Sequence, residues 1–301
     1  RMGAVGLRDL NLTTYPWNEE RMEPDIDAAC KTIREVQPKV ALFGQSVFLF
    51  PTPLQEMADA AKEVGASVMY DGAHVLGLIA GGQFQDPLRE GADLMTGSSH
   101  KTFPGPQGGF LLSSSEDASF QRRLNTAMFP GVCSSYHLHH VAGKVMALAE
   151  FKEYGEAYAK DTVNNAQAFA SALASEGFDV LAESRGYTAS HQVLTRHGEL
   201  DSGAGAKAAQ RLEEAGIITN MNMLPGDTKA LAPSGLRLGV QELTRVGFSE
   251  HDMEEVARFY ARVLLRDEDP AAVKRDVHAL KADHQTIRYC FNEGERTGYP
   301  E

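Results

Sequence analysis

The sequence predicts an α/β fold: a mostly parallel sheet flanked by helices, followed by a smaller C-terminal α+β domain. Three observations predict it. Short runs such as residues 40–43 and 68–69 are apolar throughout, as strands buried on both faces are. Helical patterns lie between such runs, so strand, helix and strand alternate in the order of a βαβ unit. Beyond about residue 155 the elements shorten and alternate faster, as in a smaller α+β unit.

Residues 1–20 read as a connection. After Pro24, the spacing of Ile26, Ala29, Ile33 and Val36 predicts a helix that Pro38 stops. Residues 40–43 read as a buried parallel strand, followed by Gly44, Gln45 and Ser46. Thr52, Pro53 and Gln55 then give a helix start: N-cap, proline at the first position and capping-box glutamine. Gly65 ends that helix, and the strand carrying Asp71 follows.

Further strands are predicted at 94–96 and within 108–112, and a helix at 116–128. An alanine-rich helix runs from about 137 to 176, with a break expected near Tyr154 and Gly155. Strands follow at 178–181 and 192–195, a helix at 204–215 ended by Gly216, and a short strand at 236–239. Phe248 and Ser249, with Asp252 and Met253, form a cap and hydrophobic staple. They open a helix whose apolar face includes Met253, Phe259, Tyr260 and Val263. A last helix is expected over 270–282, and nothing patterned from Gln285 onward. The domains expected are a large one over 1–155, a small one over 156–265 and an extension over 266–301.

The net charge is −12 over 301 residues, which disfavours nucleic acid or an anionic membrane as the main partner. No apolar run approaches the roughly 20 residues of a membrane span, and the first residues lack the core of a signal peptide. The cysteines, Cys30, Cys133 and Cys290, are far apart and odd in number, which predicts reduced thiols in a cytoplasmic protein without zinc or disulfides. No glycine fingerprint of a nicotinamide site follows a strand.

The chemistry centres on His100 and Lys101. A strand-like run ends in small polar residues, then comes the lysine, then a turn rich in proline and glycine. A lysine at a strand end can form a Schiff base once burial or a neighbouring cation lowers its pKa. Asp71 sits where the preceding strand should end, and ligands of open α/β sheets bind outside such ends. A lysine for an aldehyde and a carboxylate for a pyridine nitrogen are what pyridoxal phosphate requires.

Two long stretches carry a resemblance. Tyr-Asp-Gly-Ala-His-Val-Leu-Gly, beginning at Tyr70, and Ser-His-Lys-Thr-Phe-Pro-Gly-Pro-Gln-Gly-Gly, beginning at Ser99, closely resemble the serine hydroxymethyltransferase family, nearest its archaeal-like branch. The likeness runs from near residue 3 to about 265. It implies the fold-type I architecture of pyridoxal-phosphate-dependent transferases and Cα–Cβ bond chemistry on a β-hydroxy amino acid. Serine would give glycine, with one-carbon transfer to tetrahydrofolate as a possible further step. Threonine aldolase, transaldolase and α-methylserine hydroxymethyltransferase activities are the alternatives.

Residue by residue, the resemblance makes Lys101 the Schiff-base lysine and Asp71 the partner of the pyridine nitrogen. His74 would lie near the cofactor's phenolic oxygen, Ser46 at its edge beside the substrate, and Ser99 near the ring. His100 would help set the lysine's protonation or orient its loop. Arg237 would bind the substrate α-carboxylate with its planar fork. Arg245 reads as structural. Ser134 and Ser135, beyond Phe-Pro-Gly at 129–131, match a loop that reaches a neighbour's cofactor phosphate across a dimer interface. Asn222 and Pro225 match a region near the pterin side. His137, His139 and His140 place two rings on one helix face, one ligand short of a metal site. Family members extend further at the front, where the phosphate loop, a ring-stacking histidine and the folate groups lie. The expectation is a second polypeptide or a cleaved segment supplying them. A conditional subunit, inactive without its partner, is the reading from another class.

Overall fold

The computed structural model describes residues 10–292. Residues 1–9 of the predicted connection lie outside the described residues, and 10–16 hold no helix or strand. A short antiparallel pair, β1 (Trp17–Asn18) with β2 (Glu23–Pro24), precedes the first helix. The Asp25 carboxylate accepts the Ala28 N–H and caps α1 (Ile26–Val36), which buries Ala29, Cys30 and Ile33. Gln37 ends it in the left-handed conformation at φ 47°, just before Pro38.

β3 (Val40–Phe43) departs from the fully buried strand expected. Ala41 and Phe43 are buried while Val40 and Leu42 are exposed, because alternate side chains point to opposite faces and only one face of β3 packs on the core among the described residues. α2 (Leu54–Glu63) also starts later than its start signal implies. Thr52 does not cap it: its N–H and carbonyl are both taken by the buried Gln85 side chain, at 2.7 and 3.0 Å, and Pro53 occupies the N-cap. β4 (Ser67–Asp71) follows, then α3 (Leu76–Ala80), β5 (Leu94–His100) and β6 (Pro104–Leu112). The sheet order is β3-β4-β5-β6, parallel across the first two pairings and antiparallel in the last. A parallel pairing needs a long crossover, and the short link from His100 to Pro104 allows only a hairpin.

α4 (Ala118–Thr126) leads through a π turn at Ala127–Val132 into α5 (Leu138–Glu176), 39 residues long. α5 is unbroken at Gly155, against the expectation. Gly155 leaves room for the Phe151 ring, 2.5 Å from where a Cβ at 155 would stand, and the close approach of α3 falls on Gly81, where a Cβ would lie 2.5 Å from the Gly155 carbonyl. α5 belongs to both main cores. Its Ala147 and Ala159 pack with Phe43, Tyr70, Leu78 and Phe103, and its Phe169 and Leu173 pack with residues of the second sheet.

That second sheet is antiparallel, in the order β7 (Asp179–Val180), β8 (Gln192–Arg196), β10 (Gly235–Gly239), β9 (Asn220–Asn222), with α6 (Ala204–Glu214) lying between β8 and β9 in the chain. α7 (Gln241–Arg245) and α8 (Glu250–Leu264) follow. Ser249 and Asp252 cap α8 reciprocally, as the sequence predicts. α9 (Pro270–Asp283) is the last helix among the described residues. Beyond it the segment without pattern docks on α5: the Tyr289 hydroxyl donates to Asp161 at 2.6 Å and its carbonyl accepts from Arg245 at 2.7 Å. Arg245 also pairs with Glu150 at 3.3 Å, the structural role expected of it. Residues 293–301 lie outside the described residues.

Asn165 joins α5 to the end of α7. Its buried amide donates to Thr244 Oγ1 and to the Phe248 carbonyl, both at 2.9 Å. Asn165→Ala leaves that carbonyl unpaired away from water and is expected to cost about 1–3 kcal/mol. The check is a lower urea midpoint with an unchanged m-value.

Candidate active site

The site forms where the ends of β4 and β5 meet the face of the second sheet. Asp71 is the last residue of β4, half-buried, and its Oδ1 accepts the Ala73 N–H at 3.0 Å. Gly44, at φ 110°, packs so closely behind it that a Cβ there would lie 2.2 Å from the Asp71 carbonyl oxygen. The turn after Asp71 carries His74. Lys101 follows β5, and the next residue fastens its turn: Thr102 Oγ1 donates to the His74 carbonyl at 2.9 Å and accepts the Gly77 N–H at 3.0 Å.

This clamp sets Lys101 Nζ 3.1 Å from His74 Nε2. Burial pulls the lysine amine below its ordinary range; Asp71 opposes that shift and Arg237 adds to it. His74 is neutral at neutral pH, because burial first, then Lys101 and Arg237, push its pKa to about 4. Arg237, on β10, reaches across and donates to the Ser46 carbonyl at 2.9 Å. Lys101, His74, His191, Gln192 and Arg237 share the wall of one cavity of about 1070 Å³.

The remaining predicted residues divide. Ser46 contributes its carbonyl, which orients Arg237. Ser99 is fully buried with its Oγ donating to the Pro106 carbonyl at 2.6 Å, and it holds the hairpin. His100 is exposed, its Nδ1 3.3 Å from the Gly108 N–H. Asp71, Ser46, Ser99 and His100 do not line the cavity, and neither do Ser134 and Ser135, which are exposed near the start of α5. The three histidines there differ from the helical spacing expected. His137 is the extended N-cap, so all three rings gather, with centroids 4.4–5.5 Å apart. Among the described residues no group of three or more histidine, cysteine or acidic side chains could hold a metal ion.

A family model for serine hydroxymethyltransferase matches residues 5–260. The chain is 56% identical over 298 residues to the serine hydroxymethyltransferase of Thermococcus kodakarensis, covering 97% of this chain and 68% of that protein. The Methanocella arvoryzae enzyme of the same name is 50% identical, again over 97% of this chain and 68% of its own length. This chain belongs to the serine hydroxymethyltransferase family. Its fold is likewise that of a solved L-threonine transaldolase from Pseudomonas fluorescens, in the internal aldimine state. The TM-score is 0.85 and the identity 30%, over 92% of this chain and 63% of that one. The chain therefore spans about two thirds of the length of these relatives.

Serine hydroxymethyltransferase membership, with this neighbour, makes pyridoxal phosphate the cofactor, and the residues present fit it. An amine held below its ordinary pKa lines the cavity, a carboxylate acts on its charge, and a guanidinium shares the same wall. Two residues of the site escaped the sequence reading. His191 is buried, its ring stacked on that of His74 with centroids 6.3 Å apart, and its Nδ1 has no hydrogen-bond partner among the described residues. Gln192 bonds His74 Nδ1 at 3.3 Å from 118 positions away. The signal available was a His-Gln pair opening a predicted strand, polar where a buried strand should be apolar.

Burial also holds His191 at about 3 and His197 at about 4. An unfolded histidine titrates near 6.5, so between about 6.5 and 4 the unfolded chain binds more protons than the native one. Stability is therefore expected to fall as pH drops through that window. A lower urea midpoint at pH 5 than at pH 7 checks it.

Proposed function

We propose that the chain catalyses pyridoxal-phosphate-dependent cleavage and formation of the Cα–Cβ bond of a β-hydroxy amino acid, interconverting serine and glycine with one-carbon transfer. The observation that carries this reading is the Lys101 amine, held below its ordinary pKa 3.1 Å from neutral His74, in a cavity whose wall also includes Arg237. When bound, the cofactor supplies an electron-poor ring that accepts the electron pair released at Cα. Lys101 Nζ would hold its aldehyde carbon and must be unprotonated to do so. Asp71 would act on the pyridine nitrogen and favour its protonated form. His74 would support the phenolic side. Arg237, steadied by the Ser46 carbonyl, receives the substrate carboxylate. Ser99 and His100 act by holding the hairpin that presents Lys101.

Asp71→Asn keeps a side-chain acceptor for the Ala73 N–H but removes the charge. The expected result is a turnover loss of roughly 10²-fold with the cofactor still bound, read from steady-state rates and the visible spectrum. Near-normal turnover would remove Asp71 from its role.

We further propose a dimer in which the exposed Phe129, Val132, Tyr136 and Leu138 pack on a second copy and bring Ser134 and Ser135 to its cofactor phosphate. A cytoplasmic setting for the three free cysteines belongs to the same reading. The deciding experiment supplies serine, threonine or α-methylserine, each with and without tetrahydrofolate, and follows glycine or alanine release. Serine turnover that needs the folate supports the main reading. Folate-independent threonine cleavage supports the aldolase or transaldolase alternative, with which the transaldolase neighbour is consistent. Visible cofactor absorbance only with a co-purified polypeptide supports a conditional subunit.

A further inference from the structure

We infer that Gln192 is a positioning residue: its amide, locked in one orientation, keeps the His74 proton on Nε2 and so presents an N–H donor to the Lys101 nitrogen. The inference rests on the reading of Lys101 given above and adds how its amine is kept unprotonated.

The argument follows one chain of hydrogen bonds. Gln192 is buried, and its Oε1 lies 2.7 Å from the Phe48 backbone nitrogen. A backbone N–H only donates, so the atom facing it is the amide oxygen and the other end is the NH₂. That NH₂ donates to the Ser46 carbonyl at 3.1 Å and lies 3.3 Å from His74 Nδ1. An amide NH₂ cannot accept, so His74 Nδ1 presents its lone pair. A neutral imidazole with a bare Nδ1 carries its proton on Nε2. Nε2 is the atom 3.1 Å from Lys101 Nζ. The imidazole N–H points at the lysine, and only an unprotonated amine can accept it.

The surroundings agree. Burial keeps His74 neutral, with a pKa of about 4, so the tautomer rather than a second proton decides what Nε2 offers. The charged and titratable groups acting on Lys101 and His74 are Asp71, Arg237 and, stacked on the His74 ring, His191. Asp71 favours the ammonium form of Lys101, and the donor from His74 opposes it. The Ser46 carbonyl accepts from both Gln192 and Arg237, so one peptide group ties the orientation of the amide to that of the guanidinium. An apolar residue at 192 would leave the Phe48 N–H unpaired and His74 free to take either tautomer. A glutamate would accept from Nδ1–H and reverse it.

The test uses the full chain freed of cofactor and needs no turnover. Long-range proton–nitrogen correlation on ¹⁵N-histidine protein reports which ring nitrogen is protonated, with His74→Asn identifying the signals. A protonated Nε2 and bare Nδ1 in the wild-type chain is expected. A protonated Nδ1 overturns the inference without any variant having to fold. Gln192→Met should mix the tautomers, and Gln192→Glu should move the proton to Nδ1. The pH dependence of Lys101 acylation, followed by mass spectrometry, should shift upward by about one unit in Gln192→Met. That is about tenfold less reactive amine at a fixed pH below the midpoint. In a His74→Asn background the same substitution should change reactivity less than about twofold. An unchanged midpoint, or a full shift without His74, overturns the relay, because a merely structural glutamine would lower stability and leave both signatures in place. A chain showing the expected tautomer but binding no pyridoxal phosphate would instead count against the function proposed above.

Discussion

Lys101→Ala is expected to remove the visible absorbance of lysine-bound pyridoxal phosphate and to lower turnover by roughly 10³-fold or more. The lysine opens a short hairpin turn, and the contacts that shape the turn belong to its neighbours. Thr102 bonds the His74 carbonyl and the Gly77 N–H, and Ser99 bonds the Pro106 carbonyl. Lys101 itself is only partly buried and bonds His74 alone among the hydrogen bonds of this turn. Truncating it therefore removes the proposed nucleophile while leaving the frame, and the urea midpoint should stay close to that of the wild-type chain. Lys101→Arg keeps the charge but offers no amine that can lose its proton near neutrality, so it should be equally inactive. A cofactor band surviving in either variant would move the covalent attachment elsewhere and sink the assignment.

Arg237→Lys should lower kcat/KM for serine by about 10²-fold, mostly through KM. Loss of one partner of a desolvated, charge-assisted pair costs about 2–5 kcal/mol, and each 1.4 kcal/mol is tenfold. The guanidinium sits mid-strand on β10, opposite Leu194 of β8, and one of its nitrogens is already committed to the Ser46 carbonyl. Its remaining N–H groups form a planar fork suited to two carboxylate oxygens. A lysine at this position has one nitrogen for both tasks. Serine methyl ester, which lacks the carboxylate charge, should discriminate far less between the two proteins. Equal KM values for serine in both would show that the carboxylate binds elsewhere.

Much of this site was legible in the residue order. Asp71 and Lys101 each stand at the end of a strand recognisable by its apolar core, and the long motifs around them carry the family. Arg237 was legible for the same reason, within a short strand flanked by leucines. Ser99 shows the limit of such matching. Its position in the motif places it beside the ring, yet its hydroxyl is spent on the Pro106 carbonyl seven residues on. His191 and Gln192 carried only their polarity at the head of a buried strand as a local signal, because their roles depend on a turn more than 100 residues earlier in the chain.

The order of the longer strands and helices, the capping of α8, the strand-end positions of Asp71 and Lys101 and the family were determined by the sequence alone, whereas the short β1, α3, β9 and α7 were not. What it determined depends on period, punctuation and adjacent residues, all of which are local. Only the tertiary structure decided that β3 is half-exposed, that α5 runs straight through Gly155 and that a glutamine of the second sheet orients the histidine beside Lys101. Each of those depends on which segments meet, and a hydrogen bond or close backbone approach between distant segments leaves no periodic trace in either of them.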